Sequence, residues 1–116
     1  MKVLIVDDSQ PMRQLLHSVI GHLADEIYEC SDGNQALAAY GEHQPDWVLM
    51  DIKMNGLDGL AATREVTTQF PKAKVVIVTN FDDAETREVA RESGAVGFVA
   101  KENLLELRLL LAMKTE

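Results

Sequence analysis

The sequence predicts an α/β fold, a single (βα)₅ domain in which a five-stranded parallel sheet is covered by helices. Three observations predict it. Five apolar runs of strand length are rich in β-branched residues and lack strict alternation, so they read as strands buried on both faces. The chain between successive runs is long enough for a crossover helix and too long for a hairpin. Each intervening segment carries helical periodicity or helix start and stop signals.

The runs are Val3 to Val6, Ile27 to Cys30, Trp47 to Met50, Val75 to Val78, and Val96 to Ala100, the last broken by Gly97. After the first, Ser9-Gln10-Pro11 opens a helix whose apolar residues Met12, Leu15, Leu16, Val19, Ile20 and Leu23 form one stripe. Asp32-Gly33 caps a short Ala-rich helix from Asn34 to Tyr40 that is expected to end near Gly41. Gly59 leads into a third helix carrying Leu60, Thr63, Val66, Thr67 and Phe70, which Pro71 stops. Asp82 or Asp83 caps a weakly amphipathic fourth helix ending at Gly94, and a fifth runs from Asn103 to Met113. No linker, low-complexity tract or repeat beyond the βα period interrupts this pattern, so residues 1–116 are read as one domain.

Composition agrees and excludes some functions. A chain of 116 residues with 47% hydrophobic content buries a sufficient core without staples, and Cys30 stands alone, which excludes an internal disulfide framework. Nineteen acidic residues against eleven basic ones give a charge of −8, which disfavours direct nucleic-acid binding by this domain and favours cations as partners. The N-terminus reaches Asp7-Asp8 too early for a signal peptide, and no apolar run approaches membrane-spanning length. The expectation is a soluble cytoplasmic protein without membrane contact.

In an open parallel sheet, ligands bind beyond the carboxyl ends of the strands. Here the first run ends in Asp7-Asp8, the third in Asp51, the fourth in Thr79 and the fifth in Lys101. Three carboxylates, a hydroxyl and an ammonium therefore converge on one edge. Crowded carboxylates repel unless a cation neutralises them, and Mg²⁺, a small hard ion taking oxygen ligands and phosphate, suits this set better than zinc. His17, His22 and His43 lack metal-ligand spacing. A metal-bound Asp facing a Lys is also suited to accept a phosphoryl group, because carboxylates act as nucleophiles while the cations neutralise the transferring charge. Taken singly, each of these residues is as well explained by a turn, a cap or a solvated charge; their joint placement at the right strand ends is not. Trp47, Cys30, Tyr28 and Tyr40 read as packing residues, and Asp82-Asp83 as a helix cap.

The sequence resembles the receiver domain of two-component response regulators over its whole length. Val6-Asp7-Asp8-Ser9, Asp51-Ile52-Lys53-Met54 with Asp58-Gly59, Val78-Thr79 and Gly97-Phe98-Val99-Ala100-Lys101 carry the resemblance. It implies a doubly wound, flavodoxin-like sheet in the order 2-1-3-4-5, the order for which such a receiver is itself the standard example. It also implies that Asp51 accepts a phosphoryl group from the phosphohistidine of a sensor histidine kinase. Asp8, Asp51 and the backbone carbonyl of Lys53 would then hold Mg²⁺, with Asp7 assisting through water. Lys101 would pair with the phosphoryl oxygens, Thr79 would turn its hydroxyl toward them, and Phe98 would be the switch aromatic. Such a protein is a signalling module that catalyses only its own phosphotransfer and autodephosphorylation. Lys53 and Phe81, two residues beyond Asp51 and Thr79, are expected to flank the phosphoryl group.

Three positions depart from the family pattern. Asn55 replaces a proline and is expected to loosen the loop after Asp51. Asn80 is bulkier than the small residue usual after the switch hydroxyl and narrows access, and Glu102 follows Lys101 where proline is common, so a cis bond there is not assumed. None removes a reactive group.

Two other classes compete. A Mg²⁺-dependent phosphatase of the haloacid dehalogenase type uses an Asp nucleophile after its first strand but expects a second Asp two residues on, where this chain has Ser9 or Gln10. A flavodoxin or dinucleotide carrier needs a Gly- or hydroxyl-rich turn after strand one, whereas Asp7-Asp8-Ser9-Gln10-Pro11 is acidic. The fifth helix carries more leucines than one core stripe uses. Leu104, Leu107 and Leu111, with Leu110, fall on one side, while Leu105, Leu109 and Met113 drift to another that is expected to face solvent. The partners expected of that surface are a phosphorylation-dependent second copy, a C-terminal helix-turn-helix output domain or a separate effector.

Overall fold

A computed structural model describes residues 1–54 and 56–114. Asn55, whose effect on the loop after Asp51 was anticipated above, lies outside the described residues. Five strands, β1 (Lys2–Val6), β2 (Glu26–Cys30), β3 (Trp47–Met50), β4 (Val75–Thr79) and β5 (Gly97–Ala100), form one parallel sheet in the order β2-β1-β3-β4-β5. The helices are α1 (Gln10–Ile20), α2 (Ala36–His43), α3 (Gly59–Gln69), α4 (Ala84–Glu92) and α5 (Leu105–Lys114).

The sheet separates two apolar layers, and strand periodicity assigns each residue to one. Val3, Ile5, Trp47, Leu49, Val76, Val78 and Val99 face α1 and α5, where Leu16, Ile20, Leu107 and Leu111 complete a core. Leu4, Val6, Val48, Met50, Val75 and Ile77 face the other way, against Ala36 and Tyr40 of α2, Ala62 and Val66 of α3 and Ala90 of α4. Both faces of the three inner strands are thus removed from water, which is why their sequences run apolar without alternation.

β2 is the exception to the expected two-sided burial. It pairs only with β1, so its Ile27 and Tyr28 are half-buried and Tyr28 stacks on His43 with ring centroids 3.7 Å apart. Three further boundaries differ from the sequence reading. α2 continues through Gly41 to His43 and ends where Gln44 adopts φ 46°, its amide donating to the Tyr40 carbonyl. Gly41 lies within the helix beside the Phe70 ring, and the turn to left-handed backbone falls three residues later at Gln44. β5 starts at Gly97, leaving Val96 exposed, and α5 starts at Leu105 after a turn in which the Glu106 amide donates to the Asn103 carbonyl. Leu15, assigned to the α1 stripe, is exposed, and Leu16 and Ile20 bury that helix instead.

Of the two candidate caps on α4, Asp83 is the one used. Its Oδ1 accepts from the Thr86 amide at 2.7 Å, while Asp82 pairs with Arg87. Cys30 is buried, which pushes its thiol pKa up and leaves it a packing residue. Among the described residues no helix is long and apolar enough to cross a membrane.

Candidate functional site

Parallel pairing brings the carboxyl ends of β1, β3, β4 and β5 to one edge. The ladder continues one residue past the strands, with the Asp51 amide donating to Val6 at 3.0 Å and the Lys101 amide to Thr79 at 2.8 Å. Backbone pairing therefore fixes where these side chains emerge before any of them touches another. Asp7 is 2% exposed, Asp51 7% and Thr79 1%, whereas Asp8 stands at the solvent-facing mouth.

The carboxylates are held individually. Asp7 Oδ1 accepts from the Ser9 amide at 2.9 Å, and Asp51 Oδ1 accepts from the Ile52 amide at 2.9 Å. Their other oxygens meet the Lys101 ammonium, which lies 3.2 Å from Asp7 Oδ2 and 3.3 Å from Asp51 Oδ2. Asp8 completes the group: one carboxylate oxygen from each of Asp7, Asp8 and Asp51 lies within 4.8 Å of the others. Gly59 opens the space below. A methyl group there would meet the Asp51 carbonyl at 1.7 Å, so only glycine lets the start of α3 come so close, its amide donating to the Ile52 carbonyl at 2.7 Å.

Burial, and then the charge of Asp7, push the Asp51 carboxyl above the ordinary carboxylate value, while Lys101 and the Ile52 amide pull in the opposite direction. The Lys101 ammonium is shared between two buried carboxylates, Asp7 and Asp51. The donor set is all hard oxygen, without Cys or His, and its spacing suits a single divalent cation such as Mg²⁺. The three histidines are engaged elsewhere: His17 with Glu29, His22 with Arg108, and His43 with Tyr28 and Glu42.

The remaining expected residues lie on β4 and β5 and on the segments that follow β3 and β4. Thr79 Oγ1 accepts from the Phe81 amide at 3.3 Å, which leaves its own hydrogen to donate. Lys53 is exposed with its ammonium 4.8 Å from the centre of the Phe81 ring, so the two residues expected to flank a phosphoryl group touch one another. Asn80 is exposed at the same rim, and the described peptide bonds, including Lys101–Glu102, are trans. Phe98 is half-buried on β5, away from the carboxylates.

Two residues were not anticipated from the sequence. Arg13 on α1 donates from Nη1 to the Asp7 carbonyl at 2.7 Å and from Nε to Glu29 at 2.6 Å, tying the acidic turn to β2. Its signal was a cation in the opening turns of a helix, where the dipole disfavours one. Arg87 on α4 covers the Phe98 ring at 4.6 Å, a contact that no spacing in the chain announces.

Comparison with known proteins gives a consistent answer. A family model described as the response regulator receiver domain matches residues 3–112. Oxygen regulatory protein NreC of Staphylococcus haemolyticus is 34% identical over 99% of this chain and 54% of its own length, and NreC of Staphylococcus aureus strain JH9 is 35% identical over the same shares. The chain thus spans about half the length of the curated relatives it matches. Among solved structures, a DNA-binding response regulator of the LuxR family from Staphylococcus aureus superposes with a TM-score of 0.85 at 28% identity, covering 97% of this chain and 96% of that one. The response regulator domain of Thermotoga maritima CheB gives 0.85 at 27% identity, covering 97% and 94%.

Proposed function

Because this chain belongs to the response regulator receiver domain family, we propose that Asp51 is its phosphoryl acceptor and that a sensor histidine kinase is the donor. The family consists of signalling modules of phosphorelay systems rather than metabolic enzymes, and the role of this chain is that of a response regulator receiver. The observation that carries the assignment of Asp51 is the Lys101 ammonium shared between buried Asp7 and Asp51, at 3.2 and 3.3 Å, with Asp8 open to solvent beside them.

In the proposed transfer an Asp51 oxygen attacks the phosphorus of the phosphohistidine. The new P–O bond forms as the P–N bond breaks, and the imidazole leaves with the electron pair. Asp8, Asp51 and the Lys53 carbonyl would hold Mg²⁺, with Asp7 assisting through water. The bound ion supplies neutralisation of the phosphoryl oxygens. Lys101 gives up its contact with Asp51 and takes a phosphoryl oxygen instead, and Thr79 donates its hydroxyl to another. The product adds roughly −1.5 to −2 of charge and three acceptor oxygens beside the buried Asp7 carboxylate. Drawing in Thr79 and Lys101 biases the surface of α4, β5 and α5 through Phe98.

The phosphatase alternative loses its required second carboxylate, since Ser9 caps α1 by accepting from the Met12 amide at 3.2 Å. The names of the relatives support an output in transcription control through a further DNA-binding domain or a separate effector. The acidic charge of this chain supports a cytoplasmic receiver that does not itself contact nucleic acid. Exposed Leu105, Leu109 and Met113 support phosphorylation-dependent pairing with a second copy.

Incubation with a small acyl phosphate and Mg²⁺, read by phosphate-affinity electrophoresis, tests the proposal. Wild type should shift once, Asp51→Asn should not shift, and Asp8→Ala should shift slowly while binding Mg²⁺ more weakly by calorimetry. A shifted Asp51→Asn band, or unchanged Mg²⁺ affinity in Asp8→Ala, removes the corresponding assignment.

A further inference from the structure

One basic side chain outside the acidic crevice touches both parts that the proposed switch has to move. Arg87 lies in the second turn of α4. Its Nε is 2.7 Å from Asp82 Oδ1, and its guanidinium carbon is 4.6 Å from the centre of the Phe98 ring. Asp82 stands three residues beyond Thr79, on the loop that leads from the site to α4. Phe98 lies on β5 opposite Ile77, with its ring half-buried against the apolar layer beneath α4. A groove of about 220 Å³ between α4 and β5 runs beside it, lined by Arg87, Ala90, Arg91, Val96 and Phe98 among others.

We propose that Arg87 is a positioning residue that holds Phe98 and the loop after β4 in their resting places, and so restrains phosphorylation of Asp51. The proposal rests on the reading of Asp51 as acceptor and adds to it a restraint made by this chain's own α4. The guanidinium lies over the ring, so a Phe98 that turned toward the sheet edge would leave it. A loop that advanced toward a phosphoryl group would likewise carry Asp82 away from Arg87. Both contacts belong to the resting arrangement, and a contact made in only one of two states weights the equilibrium by its own free energy. A chain whose acceptor-competent conformer is only fractionally populated reacts at a rate reduced by that fraction, so a contact that restrains the switched state also slows modification.

The ring contact carries the larger share. Arg87 and Asp82 are well hydrated, and an exposed ion pair of that kind contributes little. A cation over an aromatic face at an exposed site is worth about a two- to fivefold bias. Arg91, one turn along, is paired with Glu88 and provides a charge-matched control on the same helix.

The test compares the initial rate of acyl-phosphate modification, with Mg²⁺, among wild type, Arg87→Ala, Arg87→Gln and Arg91→Ala, each checked for an unaltered thermal transition. Both Arg87 variants should be modified about two- to fivefold faster, Arg91→Ala at the wild-type rate, and the Arg87 effect should vanish in a Phe98→Ala background. Ring proton shifts of Phe98 in the unphosphorylated protein should move in Arg87→Ala and stay put in Arg91→Ala. Unchanged or slower modification of both Arg87 variants, equal acceleration by Arg91→Ala, or persistence of the effect without Phe98 overturns the restraint. A wild type that is never modified on Asp51 instead overturns the reading beneath it, and the ring shifts still report whether Arg87 sets the Phe98 environment.

Discussion

Lys101 reaches Asp51 from β5 across the end of β4, with its ammonium 3.3 Å from the Asp51 carboxylate, and β4 is the strand that ends in Thr79. A phosphoryl group added to Asp51 would therefore arise between the two groups that are to read it. Neither is the nucleophile.

Lys101→Ala and Thr79→Ala should accordingly uncouple signalling from modification. Each variant is expected to accept the phosphoryl group, with a rate loss of about tenfold or less, yet to show little of the amide chemical-shift change that wild type shows in α4, β5 and α5. A full wild-type response in either phosphorylated variant would contradict the coupling role.

Asp51 should cost the metal-free fold stability at neutral pH. Burial first and Asp7 second raise its folded pKa above the ordinary value of 3.8. Between that value and the raised one the folded chain holds more protons than the unfolded chain, so stability falls as pH rises through this window. Asp51→Asn has no charge to bury. Its melting temperature without metal should exceed that of wild type at pH 7. The gap should close as the pH approaches the ordinary carboxylate range. A variant less stable than wild type at pH 7, or a gap that widens in acid, would show that the Lys101 pairing outweighs burial.

The contact between Lys53 and Phe81 sets an expectation for phosphoryl lifetime. Phe81 is 42% exposed and its ring lies 4.8 Å from the Lys53 ammonium, and it is proposed to shield the phosphoryl group from a hydrolysing water. Phe81→Ser should shorten the lifetime of the phosphorylated form severalfold without changing Mg²⁺ affinity, measured by loss of the shifted band after the donor is removed. An equal or longer lifetime would eliminate the shielding role.

Much of the fold was legible because burial imposes simple patterns. The two-sided cores force uninterrupted apolar runs at β1, β3 and β4; Ser9 and Asp83 cap helices where the sequence offered them, Asp83 as one of two candidates, whereas the Asp58 cap of α3 was not read from the sequence. β2 was misjudged because edge position is a property of topology, which the apolar content of Ile27 to Cys30 does not encode. Gly41 misled because the left-handed residue that ends α2 is Gln44, a residue type that rarely adopts that backbone. The convergence of Asp7, Asp8, Asp51 and Lys101 was legible because sheet geometry delivers strand ends to one edge. Arg13 and Arg87 were not, because each acts through a contact between elements distant in the fold, and only packing shows which long side chain lies over which carbonyl or ring.

The α5 surface gives a prediction that sequence and structure share. Leu107 and Leu111 are buried, while Leu105, Leu109 and Met113 are 62%, 55% and 76% exposed and succeed one another at single-turn spacing. Phosphorylation should raise the sedimentation coefficient of wild type toward that of a dimer, and Leu109→Glu should prevent this while leaving modification of Asp51 intact. A monomer in both forms of wild type would defeat self-association.

The most direct measurement locates the phosphoryl group itself. The full chain is phosphorylated with a small acyl phosphate and Mg²⁺, the acyl phosphate is reduced with borohydride, and the modified residue is identified by peptide mass spectrometry. One modification, on Asp51, is expected, lost in Asp51→Asn and dependent on Mg²⁺. Modification of Asp7 or Asp8 in wild type, or of any residue without Mg²⁺ at the same rate, would contradict the account.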